Sequence, residues 1–409
     1  MSYTTSSTCT LRASCAPNLS SCTSQRTAGG LVLFVATFFL IYVCYVVDDN
    51  DGRVWSDLSA MPPLQLTTRY TLEQMREFAI KNAVKNYKHP FYVRWNFSFN
   101  RIMEDAKNRF NINANDVIVF LHIQKTAGTT FEKFLVKHLN ITRPCQCNMG
   151  IKRCNCYRPR DHNNKEIWLF SRYSTGWSCG LHADLTELFV SGCVEHVLDR
   201  KEHGHFQRRY FYTTFLREPV ARFVSEFSHV TRGANWLGAR HACGGRPPTA
   251  AQLPLCFDPD IGWRGVALDE FLACPFNLAF NRQTRMLADL TLVNCYNTTS
   301  MESTTRDEII LESAKNNLRN LAFFGIKERM NESQFLFENV FDLRFTSSLG
   351  VWNRSKSEDV QLSVAQLALI RRLNALDVEL YAFATKLFEK RLARVRGARL
   401  AFSAVQAYS

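Results

Sequence analysis

Val117-Ile-Val-Phe-Leu121 runs directly into His122-Ile-Gln-Lys-Thr-Ala-Gly-Thr-Thr130. The first five residues are apolar and rich in β-formers, the pattern of a strand buried on both faces. The next nine are polar and contain one glycine, so they read as a loop. Phe131, Phe134, Leu135, His138 and Leu139 then recur at three- and four-residue steps, the spacing of an amphipathic helix. Strand, loop and helix in close succession open an α/β fold.

The loop has a chemistry of its own. Amides at a helix N-terminus point outward, and the helix dipole favours an anion there. Gly128 would let the backbone approach that anion. Thr129 and Thr130 offer hydroxyls, and Lys125 adds a positive charge. The set reads as a phosphate cradle of P-loop type. It is not a Walker A loop, because the lysine precedes the glycine. An ordinary βα turn is the plainer alternative.

A second apolar run, Tyr210 to Leu216, ends at Arg217-Glu-Pro and leads into a helical stretch, Val220 to Val230. Arg217 and, one to two turns on, Ser225 could hold another phosphate through a guanidinium fork and a hydroxyl. Arginines of this kind also form plain surface ion pairs. Ala322 to Ile326 reads as a further strand, and Glu332 to Phe341 as a helix. A long helix is expected from about residue 360 to 392, its N-terminal dipole met by Glu358 and Asp359. The tail beyond Lys390, with Arg391, Arg394, Arg396 and Arg399, is expected to fray.

The 409 residues carry a formal net charge of +13. That surplus suits an acidic partner, whether nucleic acid, lipid or polysaccharide. Leu31 to Val47 contains no charged residue; with the three small residues before it, it reaches about 20 residues, enough to cross a bilayer. Its apolar character on every face argues against a buried core helix, and its length and distance from Met1 argue against a cleaved signal. Few basic residues flank it, so its orientation rests on the character of the chain downstream. Five N-x-S/T sequons lie there, at Asn96, Asn140, Asn297, Asn331 and Asn353, and ten of the 14 cysteines lie between Cys145 and Cys295. Both features suit an oxidising lumen. Disulfides are expected, with the pairing open. Cys145, Cys147, Cys154 and Cys156 could also be read as zinc ligands, but their spacing is not the usual one. The expected organisation is a cytosolic tail over 1–30, a membrane anchor over 31–47, a stem over 48–112, a catalytic domain over 113–392 and a basic tail over 393–409.

Longer segments narrow the class. FLHIQKTAGTTF (120–131), CNCYRPR (154–160), WLFSRYSTGWSCGLHADLTEL (168–188), LREPVARFVSEFSHVTRGANW (216–236), CPFNLAFNRQTRMLADLTLVNCYN (274–297) and LESAKNNLRNLAFFGI (311–326) occur in this order. Together they resemble nucleotide-dependent sulfotransferases, and most closely the heparan sulfate 6-O-sulfotransferases, over roughly residues 115 to 390. The resemblance implies a P-loop-like sulfotransferase fold, with a central parallel sheet flanked by helices and one transmembrane helix before it. It implies a type II Golgi membrane protein. The donor would be 3′-phosphoadenosine 5′-phosphosulfate and the acceptor the glucosamine 6-hydroxyl of heparan sulfate. No metal and no nucleic acid is expected.

By the same resemblance, donor contacts would come from His122, Ile123, Gln124, Lys125, Thr126, Ala127, Gly128, Thr129 and Thr130. Arg217 and Ser225 would hold the 3′-phosphate, with Leu349, Gly350, Val351, Ser355 and Lys356 nearby. His182 would be the general base, a role that an imidazole suits near neutral pH. Lys125 would stabilise the departing phosphate. Lys152, Arg153, Arg172, Trp177, His182, His229 and Trp236 would contact the glycan. Taken singly, a lone histidine is more often structural, and Lys152 and Arg153 could be a solvated loop. Three positions depart from the family's pattern: Ala127 replaces Gly, Glu218 replaces Asp, and Arg153 replaces Lys. Alanine at 127 is tolerable unless that residue needs positive φ. Rival functions are uronosyl 2-O-sulfation, a non-catalytic glycan-binding protein on the same fold, and an ATP-dependent kinase. The last lacks both the Walker lysine position and a visible magnesium-binding acidic motif.

Overall fold

A computed structural model describes residues 97–234, 241–352 and 360–407. The apolar run at 31–47, the stem up to Asn96, Trp236, Asn353, Ser355, Lys356 and the pair Glu358-Asp359 lie outside the described residues.

Along the chain come helix α1 (Phe99–Glu104), strand β1 (Asp116–Leu121), helix α2 (Gly128–Lys137), strands β2 (Gln146–Cys147), β3 (Cys154–Asn155) and β4 (Leu169–Phe170), and helix α3 (Cys193–Glu202). Strand β5 (Arg209–Leu216) leads into α4 (Pro219–Val230), followed by α5 (Leu268–Ala273), α6 (Arg282–Leu287) and α7 (Ser303–Asn320). Strand β6 (Phe323–Ile326), α8 (Met330–Phe341), α9 (Val364–Leu373) and α10 (Ala375–Ala407) complete it.

The main sheet has the order β4-β1-β5-β6, and every pairing is parallel. β1 is buried along its whole length, as expected of a strand covered on both faces. β1 and β5 both end at the same edge, with Leu121 opposite Thr214. The loops after them, which hold His122–Ala127 and Arg217–Glu218, therefore meet where parallel α/β sheets usually bind ligands. The expected α/β class and central parallel sheet are present.

The folded unit extends beyond 113–392 at both ends. Phe99, Ile102 and Phe110 belong to the core, and the Phe97 and Phe211 ring centroids are 5.0 Å apart. The stem boundary at 112 therefore falls inside the fold. At the other end α10 continues to Ala407, and Val395 is buried. Arg391, expected in a fraying tail, is 3% exposed. It donates to the carbonyls of Leu318, Arg319 and Leu321, and its guanidinium lies 4.7 and 4.8 Å from the Phe99 and Phe324 ring centres. A cation at the C-terminus of α7, packed between two rings, fixes this part of the helix. The single long helix expected from residue 360 is two helices that meet at Asn374. The first is capped by Ser363 through a box with Gln366, not by an acidic pair.

The ten cysteines from Cys145 to Cys295 form five disulfides: 145–156, 147–154, 179–193, 243–295 and 256–274. The first two staple the β2–β3 hairpin, in which Cys147 pairs with Cys154 across the ladder. These four thiols are thus joined in pairs rather than free for zinc.

Candidate functional site

The loop between β1 and α2 is held from inside. Ile123 and Thr126 are fully buried, and the Thr126 hydroxyl donates to the Ile123 carbonyl. Their side chains shape the loop, so a ligand would meet their backbone. Gly128 also has a packing role. A Cβ there would stand 3.1 Å from the Phe120 ring and 3.2 Å from His122 Nδ1. A side chain there would press on the two rings beneath the start of α2.

Lys125 and Ala127 have φ of 67° and 73°. Alternating right- and left-handed residues turn successive amides to one side, which suits an anion. An L-residue pays for the left-handed region by about 1–2 kcal/mol. Ala127 is the N-cap of α2 in that conformation, with no side-chain cap. Ala127→Gly is expected to stabilise the domain by about 0.5–1 kcal/mol once glycine's extra unfolded-chain entropy is deducted. Differential scanning fluorimetry should show a raised midpoint; an unchanged or lowered one would contradict the strain.

Arg217 is buried, and its Nη1 donates to the Lys125 carbonyl at 3.2 Å. Gln283 clamps the Arg217 backbone, accepting from its N–H and donating to its C=O, each at 2.9 Å. Asp377 of α10 in turn caps α6 by accepting from the Gln283 and Thr284 amides. Burial lowers the Lys125 pKa; Glu226 opposes this, while Arg217 and Arg232 add to it. The His229 pKa is lowered by burial and then by the charge of Lys125.

Ser225 and Ser228 both lie buried on α4, one turn apart. Ser228 Oγ and Gln124 Oε1 are buried with no partner among the described residues. A nucleotide carrying hydroxyl, amino and phosphate groups would satisfy both. The turn Leu349–Trp352 packs against α2 and α8. Leu349 is buried, its amide held by Gln334, and a Cβ on Gly350 would collide with Asn331. The residues present fit a phosphorylated nucleotide.

The opposite wall is the segment from Ser171 to His182. The Arg172 guanidinium reaches Thr129 Oγ1 at 3.3 Å and lies 5.2 Å from the Trp177 ring centre. The Trp177 and His182 ring centroids are 4.7 Å apart, and His122 is 5.4 Å from each. His182 is buried, with φ of 59°, a strained backbone of the kind found at working sites. Burial first, then His122, Arg282, Arg172 and His241, hold its pKa well below the ordinary histidine value. The imidazole is therefore neutral at pH 7, the form that can accept a proton. Lys152 and Arg153 are exposed on the hairpin, where Arg153 packs beside Gly176 and Cys154 N–H bonds the Tyr173 carbonyl.

The Cys179–Cys193 disulfide closes the loop that bears His182 onto the start of α3. Closing about 15 residues contributes about 3 kcal/mol in the chain-entropy view. The paired change Cys179→Ser with Cys193→Ser should lower kcat more than donor affinity. Calorimetry with the donor's desulfated nucleotide, beside steady-state rates, checks this; equal losses in both would show general unfolding instead.

Several site residues were not anticipated. Glu226 binds both Arg222 and Arg282, and Arg282 Nε donates to Glu226 Oε2 at 2.8 Å. Arg282 thus connects the Lys125 neighbourhood to His182. Asp184, two residues after His182, has its pKa pushed up to about 7 by burial. Glu132 lies fully buried under His122. The available signal was charge on apolar helix faces: Glu132 follows Phe131, and Glu226 lies between Phe223 and Phe227.

Of the sequons described, Asn140 is exposed with an exposed Thr142. The Asn297 carboxamide accepts from Thr299, and that of Asn331 from Ser348.

The sulfotransferase family pattern matches residues 108–384. Human heparan-sulfate 6-O-sulfotransferase 3 is 49% identical over 314 residues, 76% of this chain; the chain spans 65% of that protein's length. A zebrafish (Danio rerio) heparan-sulfate 6-O-sulfotransferase 3-B is 48% identical over 74% of this chain and 70% of its own length. Heparan-sulfate 6-O-sulfotransferase 1 of Cricetulus griseus is 49% identical over 69% of this chain and 70% of its own length. With this match over most of the folded residues and a central parallel sheet, the chain belongs to the sulfotransferase family, in the group of the heparan-sulfate 6-O-sulfotransferases.

Proposed function

We propose that this chain transfers a sulfo group from 3′-phosphoadenosine 5′-phosphosulfate to the 6-hydroxyl of glucosamine units in heparan sulfate. One juxtaposition supports the reading most strongly. The neutral, buried His182 stands against Trp177 and His122, and Arg172 of the same wall reaches Thr129 at the donor loop. The names of the three relatives point the same way.

The donor supplies an electrophilic sulfur whose leaving group is a nucleotide phosphate. His182 takes the proton of the attacking hydroxyl, which a primary alcohol must lose to become a good nucleophile. Lys125 and the amides that open α2 face the charge that grows on the phosphate. Burial makes that attraction count for more than it would in water. Arg217, Ser225 and Ser228 hold the nucleotide end. Arg172, Trp177, His229 and, from the hairpin, Lys152 and Arg153 meet the sulfates and sugar faces of the acceptor; Trp236, outside the described residues, is assigned to the acceptor by resemblance alone. The charge of +13 suits a polyanionic chain. The apolar run 31–47, the sequons and the five disulfides support a type II membrane protein with its catalytic domain in the Golgi lumen.

Acceptors already sulfated at every glucosamine 6-position should be inert, while chains 2-O-sulfated on their uronic acids should still accept label. The reverse pattern would assign the chain to 2-O transfer instead.

A further inference from the structure

The site holds two histidines, and the proton transfer assigned to His182 uses only one. His122 is 7% exposed, and its Nδ1 lies 2.5 Å from Glu132 Oε2, a carboxylate with no exposed surface. The other carboxylate oxygen, Oε1, accepts from the backbone amide of Arg172 at 2.8 Å. Glu132 sits on α2 one turn past Gly128, whose missing Cβ leaves room for the His122 ring. The same ring touches Trp177 and His182. One carboxylate thus reaches three parts of the site: the donor-loop helix, the histidine that opens the donor loop, and the wall that carries Arg172, Trp177 and His182.

A carboxylate offers two acceptor oxygens, and with Oε1 already accepting from the Arg172 amide the short contact at Oε2 suits a proton on His122 Nδ1. In the neutral ring this leaves Nε2 with a lone pair. A histidine held in this way is fixed in both tautomer and orientation. We propose that Glu132 is a positioning residue of the transfer site: it sets the tautomer of His122, so that Nε2 accepts a hydrogen bond beside His182, and it fastens the acceptor wall to the donor-loop helix. The role rests on the sulfotransferase reading of the site. It carries the chemistry one residue further, to the group that aligns His182 with its substrate.

Glu132→Gln isolates the tautomer. The glutamine carbonyl can still accept from the Arg172 amide, while its NH₂ now donates to Nδ1 and moves the His122 proton to Nε2. Nitrogen-15 NMR of histidine-labelled soluble domain, with His122→Asn for assignment, reads this directly. The proton should sit on Nδ1 in the wild type and on Nε2 in E132Q. A bare Nδ1 in the wild type overturns the proposal without any variant having to fold.

In steady state, E132Q should lose about 10–100-fold in kcat, with KM and the affinity for 3′-phosphoadenosine 5′-phosphate near wild type. On a His122→Ala background the same change should cost nothing more, because Glu132 would then have no ring to set. Losses that multiply in the double variant would overturn the proposal. If the wild type transfers no sulfo group, the functional reading falls, and the NMR result still decides the Glu132 assignment.

Discussion

Replacing His182 with alanine is expected to lower kcat by about 10²–10⁴-fold, the usual range for a general base. Affinity for 3′-phosphoadenosine 5′-phosphate should hardly change. The reason is spatial: the His182 ring stands with Trp177 on the acceptor wall and meets the donor loop only at the His122 ring, whereas that loop is shaped by Ile123, Thr126 and Arg217. The pH dependence comes from the same surroundings. Burial and the cations around it depress the His182 pKa. A base works only when neutral, so activity should persist as pH falls through the ordinary histidine value of about 6.5. Its acid limb should then lie below that point. A limb at or above it in wild type, or near-normal turnover in His182→Ala, would remove His182 from the role of base.

Lys125→Ala should lose on both counts: transfer by about 10²–10³-fold, as when one preorganised electrostatic group is removed, and much of the donor affinity. Lys125 is half-buried and feels the charges of Glu226, Arg217 and Arg232, so its ammonium is less well solvated than a surface lysine's. An anion should therefore bind it more firmly than it would bind an exposed lysine. Lys125→Arg keeps the charge but changes its shape and reach, and should recover affinity better than rate. Unchanged donor affinity in calorimetry of Lys125→Ala would break the assignment of the loop as the phosphate cradle.

Much of the sheet was legible in the chain. Val117–Leu121, Tyr210–Leu216 and Ala322–Ile326 are short apolar runs bounded by polar turns, and each forms a strand. β4 was not legible, because two residues carry no periodicity; Leu169 and Phe170 are a strand only because β1 pairs with them. The loop after β1 could be placed, but the close packing at Gly128 could not, since nothing local reveals the Phe120 and His122 rings beneath it. The condition attached to Ala127 applies: its φ is positive. Arg391 misleads for a different reason. Basic runs usually fray in solvent, but this guanidinium finds three carbonyls and two rings from elements distant in sequence. Glu132 and Glu226 stayed hidden because a charge on an apolar helix face has meaning only once its partner is known.

The most direct test is transfer by the soluble domain, begun ahead of Phe97 so that α1 and its core contacts are kept. Radiolabelled 3′-phosphoadenosine 5′-phosphosulfate and N-sulfated heparosan would be incubated with it, and the product digested to disaccharides. The account predicts label on the glucosamine 6-position, lost in His182→Ala. Folded, donor-binding protein that leaves no label on the glycan, or labels it at another position, would contradict it.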